Sequence, residues 1–387
     1  MLLTSLNRVF TWGSNGSNGQ LGSGETNFIV DSPYNITKNF NLLADEKITN
    51  IFMDNKKGAA ITSLNRVFVW GYNVKNSISN QENLSLLLPV DVTNDFDYFE
   101  GEYITDVSLG IYHSLYLTNQ GRVFERGDLK HYSEDYPGDN NTTIIDRTQE
   151  FNLSYDEFIT NVYSNSFTSF VLTNEGSLFG WGYNTANLLL NEYSQEYPIY
   201  YSINKISDKI TILEENEYIE KFSLSRSTAG IITNEGRVIM WGLANRGVLG
   251  KIIANDEHKN EPRAPGVVAV SNINELILTS NSSIALTNLG ELSVWGAHSE
   301  SLGVGSDYLI TGPDTEAGLL VTKINFKRAN DNFNELIAYG SDLELIISTK
   351  EGYLFDGWYR DNMFKEELTN QTMPAYNINL YGRWIEE

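Results

Sequence analysis

Four histidines, His113, His131, His258 and His298, are the first places to look for acid–base or metal chemistry. No two of them stand at a metal-ligand spacing, and the chain has no cysteine to complete a set. Carboxylates are plentiful, notably Glu214-Glu215-Asn216-Glu217, Asp135, Asp139 and Asp256-Glu257. A paired-carboxylate hydrolase needs two of them held at a fixed separation across a cleft, and acidic residues this abundant supply chance pairs without singling one out. A serine nucleophile would sit in a Gly-x-Ser-x-Gly elbow, which does not occur. The glycine-rich run from Gly13 to Gly24 follows a strand-like segment, but neither a helical pattern nor Gly-Lys-Ser/Thr comes after it. It reads as a turn, not a phosphate loop. The expectation is a chain with no catalytic residue, no metal site and no cofactor.

Contact chemistry is better represented. Glu192 to Tyr201 reads EYSQEYPIYY and gathers Tyr193, Tyr197, Tyr200 and Tyr201 in one loop, with Tyr132 and Tyr136 as a weaker pair upstream. Tyrosine gives a large, stiff contact area with a polar tip, which suits a partner-binding hot spot. The competing reading packs half of these rings beneath a loop rim.

Charge narrows the partners. The 387 residues carry a net charge of −23. Phosphate binding needs clustered Lys and Arg, so nucleic acid and anionic membranes are poor partners. No stretch is apolar for long enough to insert in a membrane as a helix. With no cysteine there are no disulfides or thiolate sites. The chain runs from Met1-Leu2-Leu3 directly into patterned sequence, with no signal peptide in view.

The elements that must position these residues come from a repeat. Eleven residues from Leu172, LTNEGSLFGWG, recur without a gap from Leu3, Ile61, Leu117, Ile232 and Leu286. The tryptophans are Trp12, Trp70, Trp181, Trp241 and Trp295, with Arg126 in that place in the third copy, at intervals of 58, 56, 55, 60 and 54 residues. Such a period announces a repeat architecture. The fifth position is Gly121, Gly176, Gly236 or Gly290 in four copies and Asn7 or Asn65 in two. These are the residues that accept positive φ most cheaply, as a hairpin corner requires. The Val-Phe-x-Trp run that follows alternates with a strand's period of two. The closing glycine allows a bulge or a close backbone approach. An upstream strand repeats as well, in EKITNI from Glu46, EYITDV from Glu102, EFITNV from Glu157, EYIEKF from Glu217 and NINELI from Asn272. Each unit is therefore a strand, a hairpin and a variable segment holding an outer strand and rim loops. Units of this kind bury themselves by radial stacking, as propeller blades do. The first hairpin lacks its upstream strand, which implies a chain that begins inside a longer protein or a first blade closed by a strand from elsewhere.

The first copy continues Trp12-Gly13-Ser14-Asn15-Gly16-Ser17-Asn18-Gly19-Gln20-Leu21-Gly22-Ser23-Gly24, and Trp241-Gly242 with Gly247-Val248-Leu249-Gly250 and Trp295-Gly296 with Leu302-Gly303-Val304-Gly305 repeat its outline. This pattern resembles the regulator of chromosome condensation repeat. That resemblance implies a β-propeller; members of the family usually close with seven blades, and six hairpins are found here. It also implies that His113, in a His-Ser pair before a core strand, hydrogen-bonds to a neighbouring blade. From Thr322 onward a second resemblance begins. Lys350 to Tyr359 (KEGYLFDGWY), Met373-Pro374-Ala375 and Leu380 to Trp384 (LYGRW) are similar to the internalin B-type, or Listeria–Bacteroides, repeat. It implies a small β-grasp-like module with a core of Tyr353, Phe355, Trp358, Tyr359, Tyr381 and Trp384, found mostly in bacterial surface and secreted proteins. The hairpin-like STKEGYLF from Ser348 offers a seventh blade as the rival reading.

The expected architecture is all-β: a propeller of about six four-stranded blades over residues 1–319, then the module over 320–387. The expected function is non-catalytic binding of a partner protein or glycan at a bacterial cell surface or after secretion, by a monomer. Guanine nucleotide exchange on a small GTPase and inhibition of another enzyme are the alternatives the propeller resemblance carries.

Overall fold

The computed structural model describes all residues except 55, 82–83, 128–143, 192–198, 244–246, 251–261, 269, 271, 281, 288–291, 297–309, 315–320, 328–331, 339–351, 360–362, 366, 369–377 and 387. Its architecture is all-β, with six antiparallel sheets that are the blades of a propeller. Blade 1 has three strands, Leu2–Leu3, Val9–Ser14 and Ile29–Asn35. Blade 2 has four, Ile48–Asp54, Lys57–Thr62, Val67–Tyr72 and Ser85–Asp91, in simple meander order. Blade 3 repeats this with Ile104–Leu109, His113–Thr118, Val123–Gly127 and Ile145–Asp146. Blade 4 is Ile159–Ser164, Thr168–Thr173, Leu178–Tyr183 and Ile199–Lys205. Blade 5 is Ile219–Leu224, Thr228–Thr233, Val238–Leu243 and Pro262–Val268, and blade 6 is Ile273–Leu278, Ser282–Thr287, Leu292–Gly296 and Ile310–Asp314. The described helical elements are 3-10 turns of three or four residues, several of them following a fourth strand.

Backbone geometry explains the motif. The corner residues Asn7, Asn65, Gly121, Gly176 and Gly236 have φ of 57°, 60°, 79°, 78° and 71°, the left-handed region that Asn and Gly tolerate. The closing glycines Gly71, Gly127, Gly182 and Gly242 have φ near 100°, from 96° to 108°. Register between the last two strands shifts at this point in blades 1, 2, 4 and 6, so the glycine makes a bulge. It also admits a backbone: a Cβ on Gly71 would stand 2.2 Å from the Lys56 carbonyl oxygen. Both roles foreseen for this glycine are filled at once.

The described residues form two compact units. One comprises Met1–Ala229, Trp241–Leu243 and Glu261–Gly266; the other comprises Gly230–Met240, Ala244–Asn260 and Val267–Glu387. In the first, apolar clusters lie between successive blades, such as Val9, Phe40, Ile48, Phe68 and Trp70 between blades 1 and 2. The second strands of blades 2, 3 and 4 are buried at every residue. In the second unit, Val238, Met240, Leu276, Ala285 and Trp295 share a core.

The C-terminal sheet is built differently. Its spatial order is Asn332–Ala338, Val321–Lys327, Ile378–Glu386, Tyr353–Tyr359, and the central pair is parallel, with Ile324 opposite Ile378. A propeller blade is an antiparallel meander, so this sheet is not a seventh blade. Trp358 and Tyr359 are buried, and Phe355 lies 5.5 Å from Trp358 and 5.2 Å from Trp384, ring centre to ring centre. Tyr353 and Tyr381 are partly exposed.

Candidate functional site

The propeller's seams show which residues are scaffold. Trp70 Nε1 donates to the Gln20 carbonyl at 3.0 Å, Trp241 Nε1 to that of Leu188 at 3.0 Å, and Trp295 Nε1 to that of Val248 at 2.7 Å. Each acceptor lies in the turn that follows the Trp-Gly pair of the preceding repeat. A buried Asn of the Trp-Gly-x-Asn sequence shapes that turn. Asn15 Oδ1 accepts from Leu21 N–H at 2.9 Å, and Asn184 Oδ1 from Leu189 N–H at 2.8 Å. An indole left without an acceptor would cost roughly 1–3 kcal/mol, so these pins fix how blades meet.

Blade 3 departs from this pattern on both sides. Arg126 fills the tryptophan slot and is fully buried. Its Nε donates to the Asn76 carbonyl at 3.2 Å, the same kind of acceptor the indoles use, and its Nη1 pairs with Asp95 at 2.8 Å. On the other side, Trp181 Nε1 donates to a side chain, Glu125 Oε2, at 3.0 Å. Arg147 stands 3.2 Å from the same oxygen and 5.4 Å over the Trp181 ring.

A second buried cation lies on the seam between blades 2 and 3. Lys57 Nζ donates to Ser77 Oγ at 2.7 Å and to the Gly110 carbonyl of blade 3 at 2.5 Å. Desolvation pulls its pKa down to about 7, against a smaller opposing pull from Asp54. His113, one blade on at the equivalent place, shares a 2.8 Å hydrogen bond with Ser169 Oγ of blade 4, the interblade role expected of it. Burial, reinforced by the charge on Lys57, lowers its pKa to about 3, so the ring is neutral. Neither residue is exposed to solvent. Both are structural in this arrangement.

Above this seam a cavity of about 510 Å³ opens, lined by Asn80, Asp95, Asp97, Arg122, Phe124, Ile144 and Asp146. It is the candidate site. Arg122 organises it. The guanidinium lies 4.6 Å over the Phe124 ring, donates to Glu102 at 2.7 Å and to the Asp97 carbonyl at 3.0 Å, and pairs with Asp146 at 2.8 Å. Desolvation works against its charge, yet the bonds from Asp146 and Glu102 raise its pKa overall. Arg66 makes the matching clamp in blade 2, to Glu46 and Asp91, at 2.8 Å each. The clamp is thus part of the repeat, and the side chains the cavity adds to it are Asn80, Asp95, Asp97 and Ile144. The lining presents fixed carboxylates and an aromatic face. Among the described residues, no group of three or more His, Cys, Asp or Glu side chains is placed to hold a metal.

Tyr132, Tyr136, Tyr193 and Tyr197 lie outside the described residues, as do His131, His258, His298, Asp135, Asp139 and Asp256-Glu257. Tyr200 and Tyr201 lie on the fourth strand of blade 4, with Tyr200 opposite Gly182. Glu217 of the acidic run accepts from the Glu214 N–H at 2.9 Å, a local turn contact. Lys57, Asp95 and Asp97 carried no motif that would have marked them. Arg126 did, as the one break in the tryptophan series.

Residues 323–383 match the family described as the Listeria–Bacteroides repeat domain. The crystal structure of Prp20p from Saccharomyces cerevisiae, reported with its binding properties to Gsp1p and histones, superposes with a TM-score of 0.64 at 19% identity, over 80% of this chain and 73% of that one. Human WBSCR16 gives 0.62 at 18% identity, over 79% and 78% of the two chains. The propeller fold is RCC1-like. Among curated proteins with similarity to this chain, the mouse E3 ubiquitin-protein ligase HERC2 is 23% identical over 289 residues, 75% of this chain and 6% of the ligase. The ultraviolet-B receptor UVR8 of Arabidopsis thaliana is 23% identical over 263 residues, 68% of this chain and 54% of the receptor. The chain therefore spans less than two thirds of the length of these relatives.

Proposed function

We propose that this RCC1-type propeller is a non-catalytic binding protein that engages a partner protein or glycan at its rim, with the cavity of blade 3 as the anchoring point. In this reading residues 1–319 are the binding propeller. Residues 320–387 are a spacer or adhesion module of a bacterial cell-surface or secreted protein. The observation that carries it is the cavity itself: fixed carboxylates and the Phe124 ring, set on clamped strands. Preorganised groups of this kind lower the ordering cost of binding. The test is binding of the full chain to protein and glycan arrays, with Asp97→Arg as the variant. The expected result is at least one ligand whose binding the substitution cuts tenfold or more, while thermal stability stays within a degree or two. Ligands bound equally by both proteins would place the site elsewhere, and turnover of small substrates by the chain would end the non-catalytic reading.

A second reading has the likeness to Prp20p in its support. A regulator of a small GTPase, acting as an exchange factor, would accelerate release of labelled guanine nucleotide. A panel of GTPases showing no acceleration would leave the first reading alone.

A further inference from the structure

The residue that opens a blade's second strand stands opposite the closing glycine: Lys57 faces Gly71, His113 faces Gly127, Thr168 faces Gly182 and Ser282 faces Gly296. Thr228 opens the same strand in blade 5. Blades 4, 5 and 6 thus carry a neutral hydroxyl at this place. Thr168 and Thr228 donate within their own blade, to the carbonyls of Tyr183 and Leu243. Blades 2 and 3 carry a titratable group instead, and Lys57 bonds across the seam to the Gly110 carbonyl, just past the first strand of blade 3. Between blades 4 and 5 the matching bond comes from a carboxamide: Asn165 Nδ2 donates to the Ser225 carbonyl at 3.1 Å. A neutral donor is therefore enough to close a seam of this kind.

Lys57 is fully buried, and its amine meets two acceptors, Ser77 Oγ and the Gly110 carbonyl. A neutral amine fills both with its two N–H groups. An ammonium has a third, which finds no acceptor among the described residues. The surrounding charges do not answer it. Asp54, opposite Lys57 on the first strand, pulls more weakly than burial pushes. Exposed Lys56 lies over the Tyr72 ring. From blade 3, buried His113 feels the charge of Lys57, and Arg126 donates to the Asn76 carbonyl, one residue from Ser77. Asp95 is paired with Arg126. Asp106 and Glu125 turn to blade 4, accepting from Val162 N–H and Trp181 Nε1, and Tyr116 packs on Phe96. A proton on Lys57 thus enters a seam that already holds one buried cation. The turn that supplies Ser77 is clasped by Asn73, whose side chain bonds the Ile78 and Ser79 N–H groups and the Ser79 and Gln81 carbonyls. The same turn carries Asn80 of the cavity lining.

We infer that Lys57 is a proton-operated lock on the seam between blades 2 and 3: loss of its proton tightens the seam, and with the proton bound the seam opens locally and reversibly, loosening the turn that carries Ser77 and Asn80. The direction follows from linkage. In the closed seam, burial holds the amine's pKa down at about 7. Opened to water, it returns to about 10.4. Between these values the open form binds more protons, so opening becomes rarer as pH rises, by about tenfold per pH unit in the middle of the window. Below 7 both forms hold the proton and the dependence ends.

The test is hydrogen exchange of the full chain, read by mass spectrometry from pH 6 to 9 and corrected for intrinsic rates, with Lys57→Met and Lys57→Arg beside the natural protein. Peptides over residues 57–62 and 73–80 report the seam. In the natural protein they are expected to exchange faster than the slowest amides of the chain. Their opening should fall at least tenfold from pH 7 to 9 and change little from pH 6 to 7. Lys57→Met, which takes no proton, should be slow and flat across the range; Lys57→Arg, charged throughout, should be fast and flat. Seam peptides that exchange only at the rate of the slowest amides overturn the inference, because the seam then opens only with the whole propeller. So does a flat profile in the natural protein, or a pH dependence that survives in Lys57→Met and so belongs to another group. The rate comparison and the pH profile need only the natural protein, so they decide even where a variant fails to fold.

Discussion

The seam between blades 1 and 2 and the seam between blades 2 and 3 do the same mechanical task with opposite chemistry. The first is an aromatic stack, Phe40 on Phe68 and Trp70, finished by one N–H donor. The second buries two cations, Arg126 and Lys57, each donating to a backbone carbonyl of the adjacent blade. The slot therefore selects for a long, flat side chain with a donor near its end, and only secondarily for hydrophobicity. The energetic terms of the two solutions differ. An indole gains from leaving water, whereas a buried guanidinium must recover its desolvation from Asp95 and the Asn76 carbonyl.

That contrast can be attacked directly. Trp70→Ala removes the stack and leaves the Phe40 ring over a void, and should cost about 3–5 kcal/mol in urea unfolding. Asp95→Ala strands the Arg126 charge and should cost roughly 3 kcal/mol, at the low end for broken buried pairs because Asp95 is partly exposed. Adding Arg126→Trp to that variant should restore most of the loss. If it restores nothing, the equivalence of the two side chains is wrong.

Lys57 gives the polar seam a pH signature that the aromatic seam lacks. Its folded pKa, about 7, lies below its unfolded value, so between these values the unfolded chain binds more protons. Stability should therefore rise with pH above 7, by about 2 kcal/mol up to pH 9. Lys57→Met should flatten that rise in chemical unfolding measured across the range. The smallest effect is expected at the clamp of blade 2. Arg66→Ala should cost about 1 kcal/mol, because Glu46 keeps its bonds from Thr62 and the Leu43 N–H.

Much of this scaffold was legible in the sequence because single residues carry its constraints. Asn7 and Asn65 substitute for glycine only where φ is positive, so the corners announced themselves. The upstream strands were visible because Ile-Thr-x-Val and its relatives recur at a fixed distance from the corner. The cavity was not legible. Asn80, Asp95 and Asp97 come from blade 2 and meet Arg122 and Asp146 of blade 3 only through tertiary packing. Sequence showed that Arg126 broke the series, but not that it would reach the same kind of acceptor as the indoles. The tyrosine loops stood out by composition, which identifies contact chemistry without placing it.

Each pin of the propeller reaches only the adjoining repeat, across about one period of chain. Coupling limited to nearest neighbours makes folding a one-dimensional problem, in which order can start in any repeat and spread outward. Under mechanical pull or slow proteolysis such a chain would come apart repeat by repeat. The first parting is expected where two buried charges, instead of a stack of rings, hold adjoining units together.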